Sequence, residues 1–176
     1  AQGLQYAHSR GVVHRDIKPS NLMLDADGSV KILDMGTARF GEEEKQEENL
    51  TQTGVIMGTV NYMSPEQARD AHSVDHRTDI YSLGCPFYYL LTAKPLYEGD
   101  MITTLLAHAQ KPIPEIQEYD HHIPDWVDAA LKRMLAKNPN DRFQSITELI
   151  ESIEAGLRSE QDEGDDESRE LHGMLA

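Results

Sequence analysis

Apolar positions recur with helical spacing through most of the chain, and with strand spacing only near its start. In "PDWVDAALKRML" the residues Trp126, Val127, Ala130, Leu131, Met134 and Leu135 fall on one stripe, which predicts a helix with one buried face. "DIYSLGCPFYYLLT" is apolar on nearly every face and predicts a helix buried all round. Pro86 stands inside it, where the missing N–H frees the carbonyl of Ser82 and predicts a kink or local widening over Ser82–Pro86. Further helices are expected over Gln2–Ser9, ended by Gly11, and over Asp100–Gln110. Ser145 with Glu148 spells a capping box ahead of a last helix, Ile146 to about Leu157. The exception is "NLMLDADGSVKIL", which reads as a β-hairpin of Leu22–Leu24, a turn at Asp27-Gly28, and Val30–Leu33. Val12-Val13 is a short extended step before it. Phe40 to Gln52 shows no apolar period and is expected to be a mobile acidic loop. One small hairpin followed by mostly helices predicts an α+β fold that is mainly α-helical.

With 39% hydrophobic and 27% charged residues, the 176-residue chain has the balance of a soluble globular domain, or of a large part of one. Its net charge of −15 argues against nucleic acid or an anionic membrane surface as main partner. Much of that charge sits in Glu42–Glu48 and Glu160–Glu170. The second run makes 158–176 an acidic tail expected to be disordered. Cys85 is the only cysteine, which excludes disulfides and Cys-based zinc sites within the chain and favours a reducing compartment. No apolar run approaches the roughly 20 residues of a membrane span. His72 with His76, and His121 with His122, have no Cys or HExxH glutamate nearby and read as solvated loop residues. Asp27-Gly28 is a turn, not a calcium loop, because the later glutamate ligand is missing. The tyrosines and Phe87 around Tyr81 read as core packing.

The chemistry concentrates in "VVHRDIKPSN", Val12–Asn21. Asp16 can accept a proton from a hydroxyl, Lys18 can neutralise a transferring phosphoryl group, and the amide oxygen of Asn21 suits a hard cation such as Mg²⁺. Asp34 lies thirteen residues beyond Asn21, at the hairpin's exit, so the fold-back lets both face one metal–phosphate centre. A base, a cation and two oxygen ligands on one hairpin describe phosphoryl transfer, where positioning and charge neutralisation supply most of the catalysis. His14 reads as a packed residue of this loop.

"HRDIKPSN", then "DMG" and "SPE", resembles the eukaryotic-type serine/threonine protein kinase family, and "GTVNYMSPEQA" with "TDIYSLG" resembles its bacterial branch. The resemblance covers nearly the whole chain up to the acidic tail. It implies a kinase-like C-terminal lobe over 1–157 with the hairpin at the catalytic cleft. Asp16 would be the catalytic base, Lys18 would contact the γ-phosphate, and Asn21 and Asp34 would hold Mg²⁺. Met23 would floor the adenine of ATP, and Thr59 would orient Asp16 and Lys18. Glu66 would pair with Arg142, and Asp79 would anchor the catalytic loop's backbone. Arg15 would read a phosphate on the activation loop, where Thr51 and Thr53 resemble the paired threonines that bacterial members autophosphorylate. The implied partners are protein substrates modified on Ser or Thr and an N-terminal lobe. The implied location is cytoplasmic, with any membrane anchor of the parent outside this segment.

The chain departs from the family in three ways. No two glycines are separated by a single residue, so the glycine-rich phosphate loop is absent from this sequence. The chain also opens at Ala1 within a helical pattern, so it is expected to be a fragment whose N-lobe is missing. Met35 replaces the usual phenylalanine, and Ser64 the usual alanine; neither removes chemistry. A pseudokinase-like binding lobe is the competing reading, although Asp16, Lys18, Asn21 and Asp34 are all present. A metal-dependent hydrolase fits less well, because Lys18 and Thr59 have no hydrolytic role.

Overall fold

The computed structural model describes residues 1–33, 39–40, 59–70 and 74–174, with 39–40 and 163–174 described by backbone alone. Most of the acidic loop expected over Phe40–Gln52 lies outside these residues. Helix α1 (Gln2–His8) ends at Gly11, whose φ of 72° is the left-handed conformation that glycine adopts freely. The extended pieces follow as β1 (Val12–Val13), β2 (Leu22–Leu24), β3 (Val30–Ile32) and β4 (Arg39–Phe40). β2 and β3 form the expected antiparallel hairpin, with Leu22 opposite Ile32 and Leu24 opposite Val30. Its turn is closed by Gly28 at φ 78° and by Asp25 Oδ1, which accepts the N–H groups of Asp27 (3.1 Å) and Ser29 (2.9 Å). β1 pairs antiparallel with β4, Val13 opposite Arg39. That partnership was not readable, because two residues carry no period.

The helices are α2 (Pro65–Arg69), α3 (Arg77–Thr92), α4 (Met101–Gln110), α5 (Asp125–Met134) and α6 (Ile146–Met174). α3 is the axis of the domain. Its Tyr81, Cys85 and Tyr88 pack with Leu96, Tyr97, Val127 and Leu131 on one side. Ile80 packs with Leu4, Ile17, Ala130, Met134, Phe143 and Ile146 on the other. Each such fully buried side chain contributes about 1.5–3 kcal/mol. The α5 stripe divides between the same two clusters. Gly84 lets α3 approach it closely, because a Cβ there would lie 2.9 Å from Leu135 Cδ2 and 3.2 Å from Met134 Cβ.

Four expectations change. α3 is α-helical throughout, including the buried Pro86, so no local widening changes its type over Ser82–Pro86. Packing on both flanks holds the helix where one backbone bond is missing. Tyr81 and Tyr88 are core residues, but Tyr89 faces outward. Ser145 Oγ accepts the Glu148 N–H at 3.1 Å, but the Glu148 carboxylate accepts from Gln144 N–H at 2.6 Å and pairs with Arg133, so only half the capping box forms.

The last helix also runs past Leu157 to Met174, in place of the disordered tail expected from 158. Glu, Gln, Arg and Leu are good helix formers, and Gly156 is a packing residue rather than a stop. A Cβ at Gly156 would lie 2.3–2.7 Å from the Trp126 ring atoms Cδ2, Cε3 and Cγ.

Tyr81 does more than pack. Its hydroxyl lies 2.8 Å from His108 Nδ1, and Lys137 Nζ donates to Tyr97 Oη at 2.8 Å beside them. Burial, and then the nearby Lys137 charge, push the His108 pKa down to about 4.

Two outcomes follow from this packing. Gly156→Ala should destabilise the chain by about 1–3 kcal/mol through overpacking against Trp126, despite a helix-propensity gain of about 1 kcal/mol; urea unfolding reads the sign. His108 has a depressed folded pKa, so its contribution is complete above about pH 6.5 and is lost as pH falls towards 4. Unfolding at pH 7 and pH 4.5 should show a loss that His108→Gln reduces by about 2–3 kcal/mol.

Candidate functional site

The site is assembled on the buried first turn of α3. Asp79 is 0% exposed, and its carboxylate accepts the N–H of His14 through Oδ2 and the N–H of Arg15 through Oδ1, both at 2.8 Å. His8 Nε2 lies 2.8 Å from the same Oδ2. These bonds hold Arg15 at φ 67°, in the left-handed region. That conformation costs a non-glycine residue roughly 1–2 kcal/mol, and hydrogen bonds to a charged group, each about 1.5–3 kcal/mol, offset it. The His14 ring is buried; its Nδ1 accepts the Asp16 N–H at 3.3 Å, and its Nε2 bonds the Leu33 carbonyl at 3.2 Å. An N–H can only donate and a carbonyl only accept, so the ring proton sits on Nε2. His14 is a structural tie between the loop and the hairpin.

Beyond this anchor, Asp16, Lys18, Asn21 and Thr59 converge. Lys18 Nζ lies 2.7 Å from Asp16 Oδ2 and donates to Thr59 Oγ1 at 3.2 Å. Asn21 Nδ2 donates to Asp16 Oδ2 at 3.1 Å and to the Asp16 carbonyl at 2.8 Å. Asp16 Oδ1 is buried and has no hydrogen-bond partner among the described residues. A single 3₁₀ turn, Pro19–Asn21, delivers Asn21 here, opened by a proline whose fixed φ suits the first helical position. Both side-chain bonds of Asn21 use Nδ2, which leaves its amide oxygen for a ligand. The Leu33 N–H donates to the Asn21 carbonyl at 2.8 Å, bringing the hairpin's exit alongside. Asp34, the next residue, lies outside the described residues, as do Met35, Thr51, Thr53 and His72. Met23 is 44% exposed on β2, and Leu24, Val30 and Leu33 are exposed with it, forming an apolar rim on the hairpin.

Glu66 and Arg142 meet against the same first turn of α3, through Thr78 and the Arg77 carbonyl. Arg142 Nη1 and Nη2 donate to Glu66 Oε1 and Oε2 at 2.6 and 2.8 Å, a bidentate pair. The guanidinium also donates to the carbonyls of Ala136, Lys137 and Arg77. Burial alone would raise the Glu66 pKa, but the Arg142 hydrogen bonds and charge, with the Thr78 hydroxyl, hold it below the usual carboxylate range.

Sequence reasoning missed the parts played by four residues. Ser64 and Gln67 form a full capping box on α2, and "SPEQ" carried its S-x-x-Q signature. Thr78 bridges Glu66 and Ser64 from within α3, and His8 shares Asp79. Neither Thr78 nor His8 had a local signal. Among the described residues no helix is long and apolar enough to cross a membrane.

A carboxylate held at one oxygen by a cation and an amide, with its other oxygen unpartnered beside a threonine, is suited to taking a proton from a hydroxyl as a phosphoryl group moves. The fold and site define a helical lobe built around one charged loop, anchored on a buried aspartate. The protein kinase domain profile matches residues 1–153. The chain is 41% identical over 150 residues to serine/threonine-protein kinase PknB of Mycobacterium leprae, covering 84% of this chain and 23% of that protein. A probable serine/threonine-protein kinase of Streptomyces coelicolor is 41% identical over 157 residues (89% and 23%), and PknE of Mycobacterium tuberculosis 38% over 154 (88% and 26%). The chain belongs to the protein kinase family, in which these relatives are named as serine/threonine kinases, and it spans about a quarter of their length.

Arg142→Met should cost about 3–5 kcal/mol, because it strands the Glu66 carboxylate in a partly buried setting. Chemical denaturation should show the loss at neutral pH. Because the Glu66 pKa is depressed in the fold, its stabilisation is present above the ordinary carboxylate range and fades as pH falls through its folded value. The gap between wild type and variant should therefore narrow at acid pH.

Proposed function

We propose that this chain is the C-lobe portion of a protein serine/threonine kinase, whose loop at Asp16 serves transfer of the ATP γ-phosphoryl group to protein hydroxyls. The observation that carries the reading is the asymmetry of Asp16, with Oδ2 engaged by Lys18 and Asn21 and Oδ1 buried without a partner among the described residues. In the proposed reaction the substrate oxygen bonds to the γ-phosphorus, the bond from that phosphorus to the bridging oxygen breaks, and the hydroxyl proton passes to Asp16. Lys18 neutralises the transferring group, and Thr59 holds Lys18 in line with the base.

Asn21 and Asp34 are the residues that would hold Mg²⁺, in keeping with their hard oxygen donors. The ion would supply neutralisation of phosphate charge. Met23 offers an apolar surface for adenine, and the exposed rim of Leu24, Val30 and Leu33 suits a covering N-lobe. Arg15 would pair with phosphate on Thr51 or Thr53, whose added charge would order the acidic segment. The pseudokinase reading is disfavoured, because the base, the lysine and both metal-binding side chains are all retained. A cytoplasmic setting follows from the need for ATP.

The test compares three proteins by incorporation of radiolabelled phosphate: the chain alone, the chain joined behind a glycine-rich N-lobe from a PknB-type relative, and that chimera with Asp16→Asn. The chain alone should show no turnover, since its sequence carries no glycine-rich phosphate loop. The chimera should transfer phosphate to Ser or Thr at roughly 1–100 per second. Asp16→Asn should lower that rate by at least about 10²–10⁴-fold while sparing nucleotide binding. Undiminished transfer by the substituted chimera would remove Asp16 from its role. Mass spectrometry of the active chimera should find phosphate on Thr51 or Thr53, and an unmodified pair would sink that assignment.

A further inference from the structure

The capping box at the start of α2 does something that a helix cap does not require. Gln67 Oε1 accepts the Ser64 N–H at 3.1 Å, and the Ser64 hydroxyl accepts the Gln67 N–H at 3.3 Å, which completes the cap. The other end of the same amide, Nε2, donates to the Arg15 carbonyl at 2.9 Å, across 52 residues of sequence. That carbonyl belongs to the peptide joining Arg15 to Asp16. The N–H of that peptide goes to His14 Nδ1, and the preceding N–H, of Arg15, goes to Asp79. The peptide that carries the base is thus gripped at its oxygen by α2 and at its nitrogen by the loop's own histidine. Arg15 holds its left-handed φ between these two grips.

The amide is itself tied down. The Thr78 hydroxyl donates to Glu66 Oε1 at 2.8 Å, so its hydrogen is used, and the contact of 2.6 Å between Ser64 and Thr78 hydroxyls must be donated by Ser64. The Ser64 oxygen is then turned to accept from Gln67. A continuous polar chain therefore runs from Arg142 through Glu66, Thr78, Ser64 and Gln67 to Arg15. Gln67 also lines the small crevice that Asp16 and Thr59 line. Only a primary amide can accept from Ser64 and donate to Arg15 together; a carboxylate at this position would keep the first bond and set its charge against the second.

We propose that Gln67 is a positioning residue for the catalytic loop, fixing the Arg15–Asp16 peptide and through it the direction of the Asp16 carboxylate. Its effect on turnover rests on the phosphotransfer reading above, whereas the clamp itself does not. The discriminating variant is Gln67→Glu, which keeps the cap and loses the clamp; Gln67→Ala loses both.

Two measurements decide the matter. In the 176-residue chain, hydrogen–deuterium exchange by mass spectrometry should show faster exchange for Gln67→Glu in peptides spanning Val13–Lys18. Peptides from Asp125–Met134 should be unchanged, and the melting temperature should stay at the wild-type value. In the chimera carrying an N-lobe, Gln67→Glu should lower kcat by about 10–100-fold and leave KM for ATP unchanged, as expected when a reacting group is displaced by a fraction of an ångström to an ångström. Exchange and kcat both at wild-type values would overturn the proposal. So would a fall in melting temperature with exchange rising in both regions, because that pattern belongs to a cap alone. If the unsubstituted chimera is inactive, the phosphotransfer reading fails, and the exchange measurement still decides whether the clamp exists.

Discussion

Everything at the site depends on one buried carboxylate. Asp79 is shut away from water by α3's own packing, and an ionised group there is tolerable only if its lone pairs are filled. The fillers are the backbone N–H groups of His14 and Arg15 and the ring of His8. The requirement runs in both directions. Asp79 needs those donors, and a loop with a left-handed arginine needs a strong acceptor to stay in that shape. Two or three charge-assisted bonds at about 1.5–3 kcal/mol each outweigh a strain of roughly 1–2 kcal/mol, so the loop's shape is set by the helix and not by its own propensity.

A helix can carry such a residue only if it is itself immobile, and α3 is immobilised by having a hydrophobic cluster on each side. Gly84 brings α5 close, and the continuity of the helix through Pro86 shows how far packing overrides local preference. The second buried charge, on Arg142, is treated as Asp79 is, with every donor directed at a carboxylate or a carbonyl. These two charges tie α3 to different parts of the chain, Asp79 to the loop at His14 and Arg15 and Arg142 to Glu66 of α2. Gln67 closes the circuit by reaching from α2 back to that loop.

Helix positions were legible because they follow from periodicity, which is local: the α5 stripe and the all-round apolar α3 needed no knowledge of neighbours. The hairpin was legible from its turn residues for the same reason. The pairing of β1 with β4 was not, because it joins residues 26 and 28 apart through two-residue strands. The end of α6 was misread because a run of acidic and polar residues after Leu157 carries no apolar period to mark a helix. The candidate site residues stood out by their chemical density within ten positions, and motif resemblance supplied their expected roles. What neither periodicity nor motif gave was the wiring between them. His8, Thr78 and Gln67 are ordinary residues whose importance comes from which hydrogen each has left to donate. That depends on three-dimensional contacts at separations of 12 to 71 residues.

The same accounting explains why Asp16 ends with two unlike oxygens. Lys18 cannot sit idle beside a carboxylate, and Thr59 limits where its ammonium can go, so Oδ2 is held. Asn21 reinforces that choice from the 3₁₀ turn, and its second bond, to the Asp16 carbonyl, prevents the side chain from turning its amide oxygen inward. Rotation of the carboxylate would exchange its oxygens but would leave one of them facing the lysine and the amide. The remaining oxygen is buried with no partner among the described residues, which suits it to a group with a hydrogen to donate. Within the proposed function, that donor is the substrate hydroxyl, and the unsatisfied oxygen favours its approach from one direction only. Catalytic groups gain most from placement when the reacting partner has a single way to dock. The orientation of one carboxylate thus carries through to the substrate, because each atom around it has been given a different partner.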